Sequence, residues 1–145
     1  MTDKNTRENL QKTVREYAAV FGVGSIGYSA IEILWRGRTH WTMALTGGAC
    51  MSGLYALSKR EQRSTWKFCL EGAGMITAAE FFVGLIVNKK LKWGVWDYSN
   101  IPFNLMGQIC PLYSFFWFLL CRPGNQICKR LNLLMNQQGF SLSSR

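Results

Sequence analysis

Three glutamates, Glu32, Glu71 and Glu80, stand inside long apolar stretches of the chain. A carboxylate at the centre of a membrane helix costs roughly 2.5–3.5 kcal/mol on insertion scales, so each needs a partner. Glu71 follows Lys67 by four residues and Glu32 precedes Arg36 by four, spacings that let an ion pair form along one helix face. Tyr28 and Ser29 extend a polar face inward from Glu32. Glu80 is different. No basic residue lies within a turn of it, and it stands about 16 Å along its helix from Cys69, near the middle of its apolar segment. Its partner must come from another helix, from water, or from a proton that it keeps. A carboxylate so placed can bind a cation or carry a proton.

The second group of candidates lies between Lys89 and Gln108. Trp93, Trp96, Tyr98 and Phe103 are interleaved there with Asp97, Ser99, Asn100, Asn104 and Gln108. Amphipathic rings belong at headgroup level, so an interfacial belt is one account, with Asp97 capping a short turn. A folded lid that brings Asp97, Tyr98, Asn100 and Asn104 to a cavity mouth is the other. Glu32, the far half of the helix that carries Glu80, and this loop all fall on the same side of the expected topology. A shared site there is geometrically allowed. The small-molecule or ion-binding candidates are therefore Glu32, Glu80, Asp97, Tyr98, Asn100 and Asn104.

The elements that must position these residues are membrane helices. The chain has 145 residues, 48% of them apolar and 17% charged. The apolar residues gather into blocks, with the charges collected between them, as in a small polytopic membrane protein. The blocks run from Tyr17 to Trp35, Trp41 to Ser58, Cys69 to Asn88 and roughly Leu105 to Cys121. A polar stretch precedes the first, and no small-residue cleavage site closes it, which argues against a signal peptide. The second is diluted by Gly47, Gly48, Gly53 and their small neighbours, which suit close helix packing. On the first helix Ala18 and Gly22, then Ser25 and Ser29, recur at helical spacing; on the third Gly72, Met75 or Ile76, Ala79 and Val83 follow one row, with Gly74 and Ala78, then Glu80 and Gly84, on neighbouring faces. The fourth block is short and aromatic. Arg122-Pro123-Gly124-Asn125 is expected to end it, so it only just spans or is partly re-entrant.

The expected fold class is all-α, a transmembrane bundle of about four helices over residues 17–121, between basic tails at 1–16 and 122–145. Asn5 to Glu16 and Asn125 to Asn136 could lie flat on the membrane surface as amphipathic helices, and Ser141 to Arg145 is expected to be frayed. Counted by alternate sides, Lys4, Arg7, Lys12, Arg15, Lys59, Arg60, Arg63, Lys67, Arg122, Lys129, Arg130 and Arg145 face Arg36, Arg38, Lys89, Lys90 and Lys92. That imbalance puts both termini in the cytoplasm. The net charge of +9 is then a topology signal near anionic lipid rather than a nucleic-acid surface. Five cysteines without CxxC spacing read as inert thiols, and a single histidine, His40, offers no His-based metal site. No cofactor is expected.

Gly27-Tyr28 and Ile31-Glu32, Glu80-Phe81 and Gly84-Leu85, Trp96-Asp97-Tyr98-Ser99, Pro102-Phe103-Asn104, Gly107-Gln108-Ile109-Cys110, and Tyr113-Ser114 with Trp117 form a pattern. It resembles the CmpB-like family of type IV ABC-transporter permeases, small bacterial multi-pass membrane proteins, over roughly Phe21 to Leu120. Arg36 to Met43 resembles a Firmicutes-type subgroup. The family's last helix runs on where this chain has Arg122-Pro123-Gly124-Asn125, an expected departure. The resemblance implies the bacterial inner membrane, a transport role for a small solute or ion, and an ATPase on a separate chain, since no GxxxxGK[ST] loop is present. Such an ATPase would dock on cytoplasmic surface such as Lys59 to Lys67, and four helices are few for a pathway, so a homo-oligomer is expected. The alternative is a non-transporting interaction or holin-like protein. An intramembrane enzyme using Glu32, Glu80 or Asp97 finds little support, because no Ser-His, Cys-His or metal-ligand constellation accompanies them.

Overall fold

The computed structural model describes residues 2–60 and 64–142, with side chains for 5–60 and 64–137. Arg63 and Arg145 of the charge tally lie outside the described residues, as does most of the expected frayed end. Among the described residues the regular elements are all helical. Four α-helices run α1 (Thr2–Arg36), α2 (Trp41–Ser58), α3 (Thr65–Gly84) and α4 (Pro111–Leu142), and α3 passes directly into a π-helical turn, Leu85–Lys90.

Local chemistry sets most of the boundaries. Gly37 ends α1 with φ +71°, its N–H donating to the Ile33 carbonyl at 2.8 Å, a left-handed cap that suits glycine. His40 caps α2, its Nδ1 accepting from the Thr42 N–H at 3.3 Å. Ser64 caps α3 by accepting from the Lys67 N–H at 3.4 Å. Pro111 opens α4 at the position where a missing N–H costs nothing. The bounds of α2 coincide with its expected apolar block.

Two expectations about the ends need correction. The fourth helix is neither short nor stopped at Arg122: α4 has 32 residues and carries Pro123 in its interior. Proline removes one backbone bond and crowds the preceding turn, yet beyond it Asn125 and Cys128 are buried against the bundle. Tertiary packing holds the helix past its local breaker. Neither tail lies flat as a separate helix. The N-terminal stretch is continuous with the rest of α1, whose 35 residues extend about 52 Å, far more than a bilayer core. It runs beside the end of α4, where Lys12 Nζ donates to Asn136 Oδ1 at 3.1 Å.

Packing is closest between α1 and α2 and between α3 and α4; α2 also touches α3 and α4, whereas α1 and α4 meet only lightly. The α1–α2 contact depends on Gly24, not Gly22. A Cβ at Gly24 would stand 2.6 Å from the Gly47 carbonyl oxygen, while Gly22 faces open space. On α3 the inward glycines are Gly72, packed against Leu54 and Cys121, and Gly84, packed against Gln108 and Trp96 of the loop that follows, whereas Gly74 meets nothing. Among the described residues two helical segments, Asn5–Arg36 and Thr65–Lys90, are long and apolar enough to cross a membrane. Glycines and hydroxyls dilute α2, and the polar run at 122–126 followed by Lys129 and Arg130 dilutes α4.

Residues 91–110 fold as a compact lid. Leu105 and Ile109 form an isolated antiparallel bridge. Asn88, inside the π-helical turn, pins the lid from below: its side chain accepts from the Val95 N–H at 2.7 Å and donates to Gln108 Oε1 at 2.9 Å. Gln108 is buried, and its carbonyl accepts from Trp96 Nε1 at 2.9 Å.

Candidate functional site

Glu80 is the most deeply buried carboxylate among the described residues, 2% exposed. It points into the bundle. Tyr28 Oη, from α1, donates to its Oε1 at 2.9 Å, and Trp117 Nε1, from α4, donates to its Oε2 at 2.9 Å. The two donors also stack on each other, with ring centroids 5.3 Å apart and planes 21° apart. Three helices therefore meet at one acid through neutral groups. An indole N–H can only donate, so Oε2 is always an acceptor. A phenol can donate or accept. A proton can reside on Oε1 and turn toward Tyr28 Oη with every heavy atom in place, so this cradle accommodates both states of the acid.

On α1 the residues Tyr28, Glu32 and Arg36 recur every four positions and share one face. Glu32 is 6% exposed and is held on one side, its Oε2 accepting from Thr39 Oγ1 at 2.9 Å. Arg36 Nη1 stands 3.4 Å from Oε1, the expected i,i+4 pair at a long distance. That oxygen has no hydrogen-bond donor among the described residues. Arg36 Nη2 donates instead to Tyr98 Oη at 3.1 Å, and the guanidinium carbon lies 5.8 Å from the Tyr98 ring centroid. Tyr98 in turn stacks on Tyr113 at 4.5 Å. Burial, and then the charge of Glu80, push the Tyr98 phenol well above its ordinary value, so it stays protonated.

Between α1 and α4, under Tyr98, these groups border a cavity of about 300 Å³. Tyr28 and Trp117 line it, and Glu80 sits behind them. Its rim includes the exposed Ile31, Trp35, Leu119 and Leu120, so the groove opens sideways from the bundle.

Of the six expected site residues, Glu32, Glu80 and Tyr98 gather around this groove, and the other three do not. Asp97 is exposed and accepts from the Ser99 N–H at 2.9 Å, a turn within the lid. Ser99, through side chain and backbone, holds the Asp97 carboxyl below its ordinary value. Asn100 is exposed. Asn104 donates to the Ser99 and Ile101 carbonyls and accepts from the Gly107 N–H, again within the lid. Turn chemistry claims them, as the first account of this loop expected. Tyr28 and Trp117 were not among the expected ligands of Glu80. The signal for Trp117 was available, because a buried indole N–H requires an acceptor. Among the described residues no group of three or more His, Cys, Asp or Glu side chains comes together that could hold a metal ion.

Residues 17–137 match the protein family described as "Putative ABC-transporter type IV". The chain belongs to this family. The match of this ABC-transporter type IV chain begins within α1, takes in α2, α3 and the lid, and ends within α4. It also runs through Arg122-Pro123-Gly124-Asn125 to Gln137, so the expected departure at the end of the last helix does not exist. No match was found among curated proteins or among solved structures. Family membership and two helices able to cross a bilayer make the chain a transporter-related membrane protein.

Proposed function

We propose that the chain is a multi-pass permease subunit of the bacterial cytoplasmic membrane, passing a small solute or ion along the groove between α1 and α4. Glu80 is its acid, and Tyr28 and Trp117 stand between that acid and the groove. The subunit makes and breaks no covalent bonds. Its termini lie in the cytoplasm, an orientation supported by the count of Lys and Arg on alternate sides. The described part of a separate ATPase's docking surface is Lys59, Arg60 and Ser64 to Lys67, with the ends of α1 and α4 that Lys12 and Asn136 join. Copies of the chain assemble around the pathway, since one four-helix unit encloses little more than the groove itself.

The observation that carries this reading is the setting of Glu80: a carboxylate at the centre of three helices, bound by two neutral donors and screened from a side-opening cavity by those same donors. A purely structural position would be served as well by an apolar side chain, at less cost. The test is proton flux in proteoliposomes, read by an entrapped pH dye under an imposed potential. Wild-type protein is expected to conduct above protein-free vesicles. Glu80→Gln, which keeps an acceptor for Trp117 and mimics a fixed proton, is expected to return flux to background with helicity unchanged. Equal flux in the two proteins removes Glu80 from the pathway. Wild-type vesicles no leakier than empty ones favour the non-transporting reading.

A further inference from the structure

The groove is an aromatic enclosure with one unmatched charge. Rings of Tyr28, Trp35, Tyr98, Tyr113, Phe116 and Trp117 line it. They are fixed to one another: Tyr98 stacks on Tyr113, Tyr113 meets Phe116 edge to face at 5.8 Å, and Trp35 Nε1 donates to Tyr113 Oη at 3.0 Å. The remaining wall is aliphatic apart from Glu32 and Arg36. Ring faces attract cations, and more strongly when water is excluded. Independently, Glu32 Oε1 is buried and lacks a donor, its nearest cation being the Arg36 guanidinium at 3.4 Å. That guanidinium is already bonded and stacked to Tyr98. A buried acceptor left unmatched costs about 1–3 kcal/mol, and what completes it is a donor bearing positive charge.

We propose that this groove is an exchange site for a lipophilic organic cation, an ammonium carried on an aryl or alkyl body. The apolar body lies among the rings. The ammonium donates to Glu32 Oε1 in place of Arg36, which stays on Tyr98. The ammonium brings one positive charge to a groove that still holds the Arg36 guanidinium, so Glu32 attracts it and Arg36 opposes it. The cavity, about 300 Å³, is at the small end of ligand sites, which suits a single-ring amine rather than a whole lipid. The sideways opening lets such a molecule enter from the hydrocarbon. An anion is disfavoured, since Glu32 borders the groove and its one cationic wall residue, Arg36, is already bonded to Tyr98. The proposal rests on the permease reading in taking the groove as the mouth of the pathway.

The experiment is equilibrium dialysis of protein in lipid nanodiscs, with empty nanodiscs subtracting partition into lipid. Three probes of one shape are compared: 2-phenylethylammonium, the neutral 2-phenylethanol and the anionic 3-phenylpropanoate. Wild-type protein is expected to prefer the cation by about tenfold, the scale of one charge-assisted hydrogen bond over a neutral one. Glu32→Gln is expected to erase that preference. Arg36→Gln is expected to raise cation affinity, because it removes the internal competitor. A merely structural Arg36 would give no gain.

Equal binding of cation and alcohol overturns the proposal and leaves an apolar groove filled by acyl chain. Preference for the anion overturns it in favour of Arg36. The probe comparison on wild-type protein decides the matter even if a variant misfolds. Cation binding by a protein that conducts nothing would leave this inference standing and remove the permease reading. Flux abolished by Glu80→Gln without any cation preference would do the opposite.

Discussion

Two carboxylate–cation pairs at opposite ends of the bundle are built from similar parts and finished differently. At the end where α1 begins, Glu16 Oε2 accepts from Lys59 Nζ at 2.8 Å and from Tyr55 Oη at 3.2 Å. The Lys59 ammonium lies 4.4 Å from the Tyr55 ring centroid and 5.5 Å from that of Tyr17. Tyr55 Oη also reaches Asn132 Oδ1 on α4, so four side chains tie three helices together. At the other end Glu32 and Arg36 stand farther apart, one acid oxygen has no donor, and a cavity borders the rings. The chain's own lysine fills the first aromatic cage. The second has its walls and its acid, with an arginine drawn off to one side. Where every polar atom is matched the pair fastens helices, and where one is left over the pair is available to a ligand.

The sharpest way to break that contrast is to neutralise each acid in turn and compare stabilities. Glu16→Gln removes a charge-assisted bond from Lys59, worth roughly 1.5–3 kcal/mol when buried. The Lys59 side chain is 35% exposed, so solvent screening brings the expected loss to about 1–2 kcal/mol. Glu32→Gln keeps an acceptor for Thr39 and gives up only the long contact to Arg36, so the expected loss is under about 1 kcal/mol. All five cysteines are buried free thiols, so a thiol-reactive fluorogenic dye reports unfolding without labelling the native state. Equal losses, or a larger loss at Glu32, would mean that both pairs are fasteners.

A smaller effect follows from pH. Burial alone would raise the Glu16 carboxyl, but Lys59, by hydrogen bond and charge, outweighs it and holds the group below its ordinary value. Burial alone would lower Lys59, but Glu16 and Tyr55 outweigh it and raise the ammonium. Glu16 therefore contributes stability above its unfolded value and loses it as pH falls through the depressed folded one. Lys59 contributes fully below its unfolded value and loses it as pH rises through the raised folded one. The fastener holds from mildly acidic to alkaline solution and fails at both extremes. Thermal midpoints followed by circular dichroism should fall at both ends in wild-type protein. Glu16→Gln should start lower and fall less at each end. Parallel pH curves for the two proteins would deny the pair that role.

Much of this architecture was legible before any coordinates. Apolar blocks bounded by charge placed α2 at Trp41–Ser58, and the missing neighbour of Glu80 left another helix, water or a retained proton as its partner, of which other helices supply Tyr28 and Trp117. Three things were not legible. Pro123 and Gly124 are local breakers, and only the burial of Asn125 and Cys128 beyond them shows why α4 continues. Spacing along one helix names rows of small residues but not which row meets a neighbour, so Gly22 and Gly74, which meet nothing, stood beside Gly72 and Gly84, which do, and Gly24 was passed over. The lid mixes residues that fold it with residues that face the groove. Asp97 and Tyr98 are adjacent in sequence and point to opposite environments, one exposed and one buried, as alternate residues of an extended stretch do.

That adjacency supplies the smallest expected effect and the finest division between fastener and site. Asp97 carries a formal charge within one residue of Tyr98, and on sequence alone it has as good a claim to the groove as Glu32. Its carboxylate instead accepts from the Ser99 N–H, and a Cβ at Gly107 would stand 2.7 Å from its Oδ1. An asparagine offers the same acceptor in the same turn. Asp97→Asn is therefore expected to leave flux, the cation preference of the groove and the unfolding midpoint unchanged, all measured beside Tyr98→Phe. The phenylalanine keeps the ring over Arg36 but takes away the oxygen to which the guanidinium donates. Arg36 is then freer to close on Glu32, and the cation should bind more weakly. If Asp97→Asn alters binding and Tyr98→Phe does not, the lid works through its exposed face, and the boundary between the parts that hold this protein together and the parts that admit a ligand has to be redrawn.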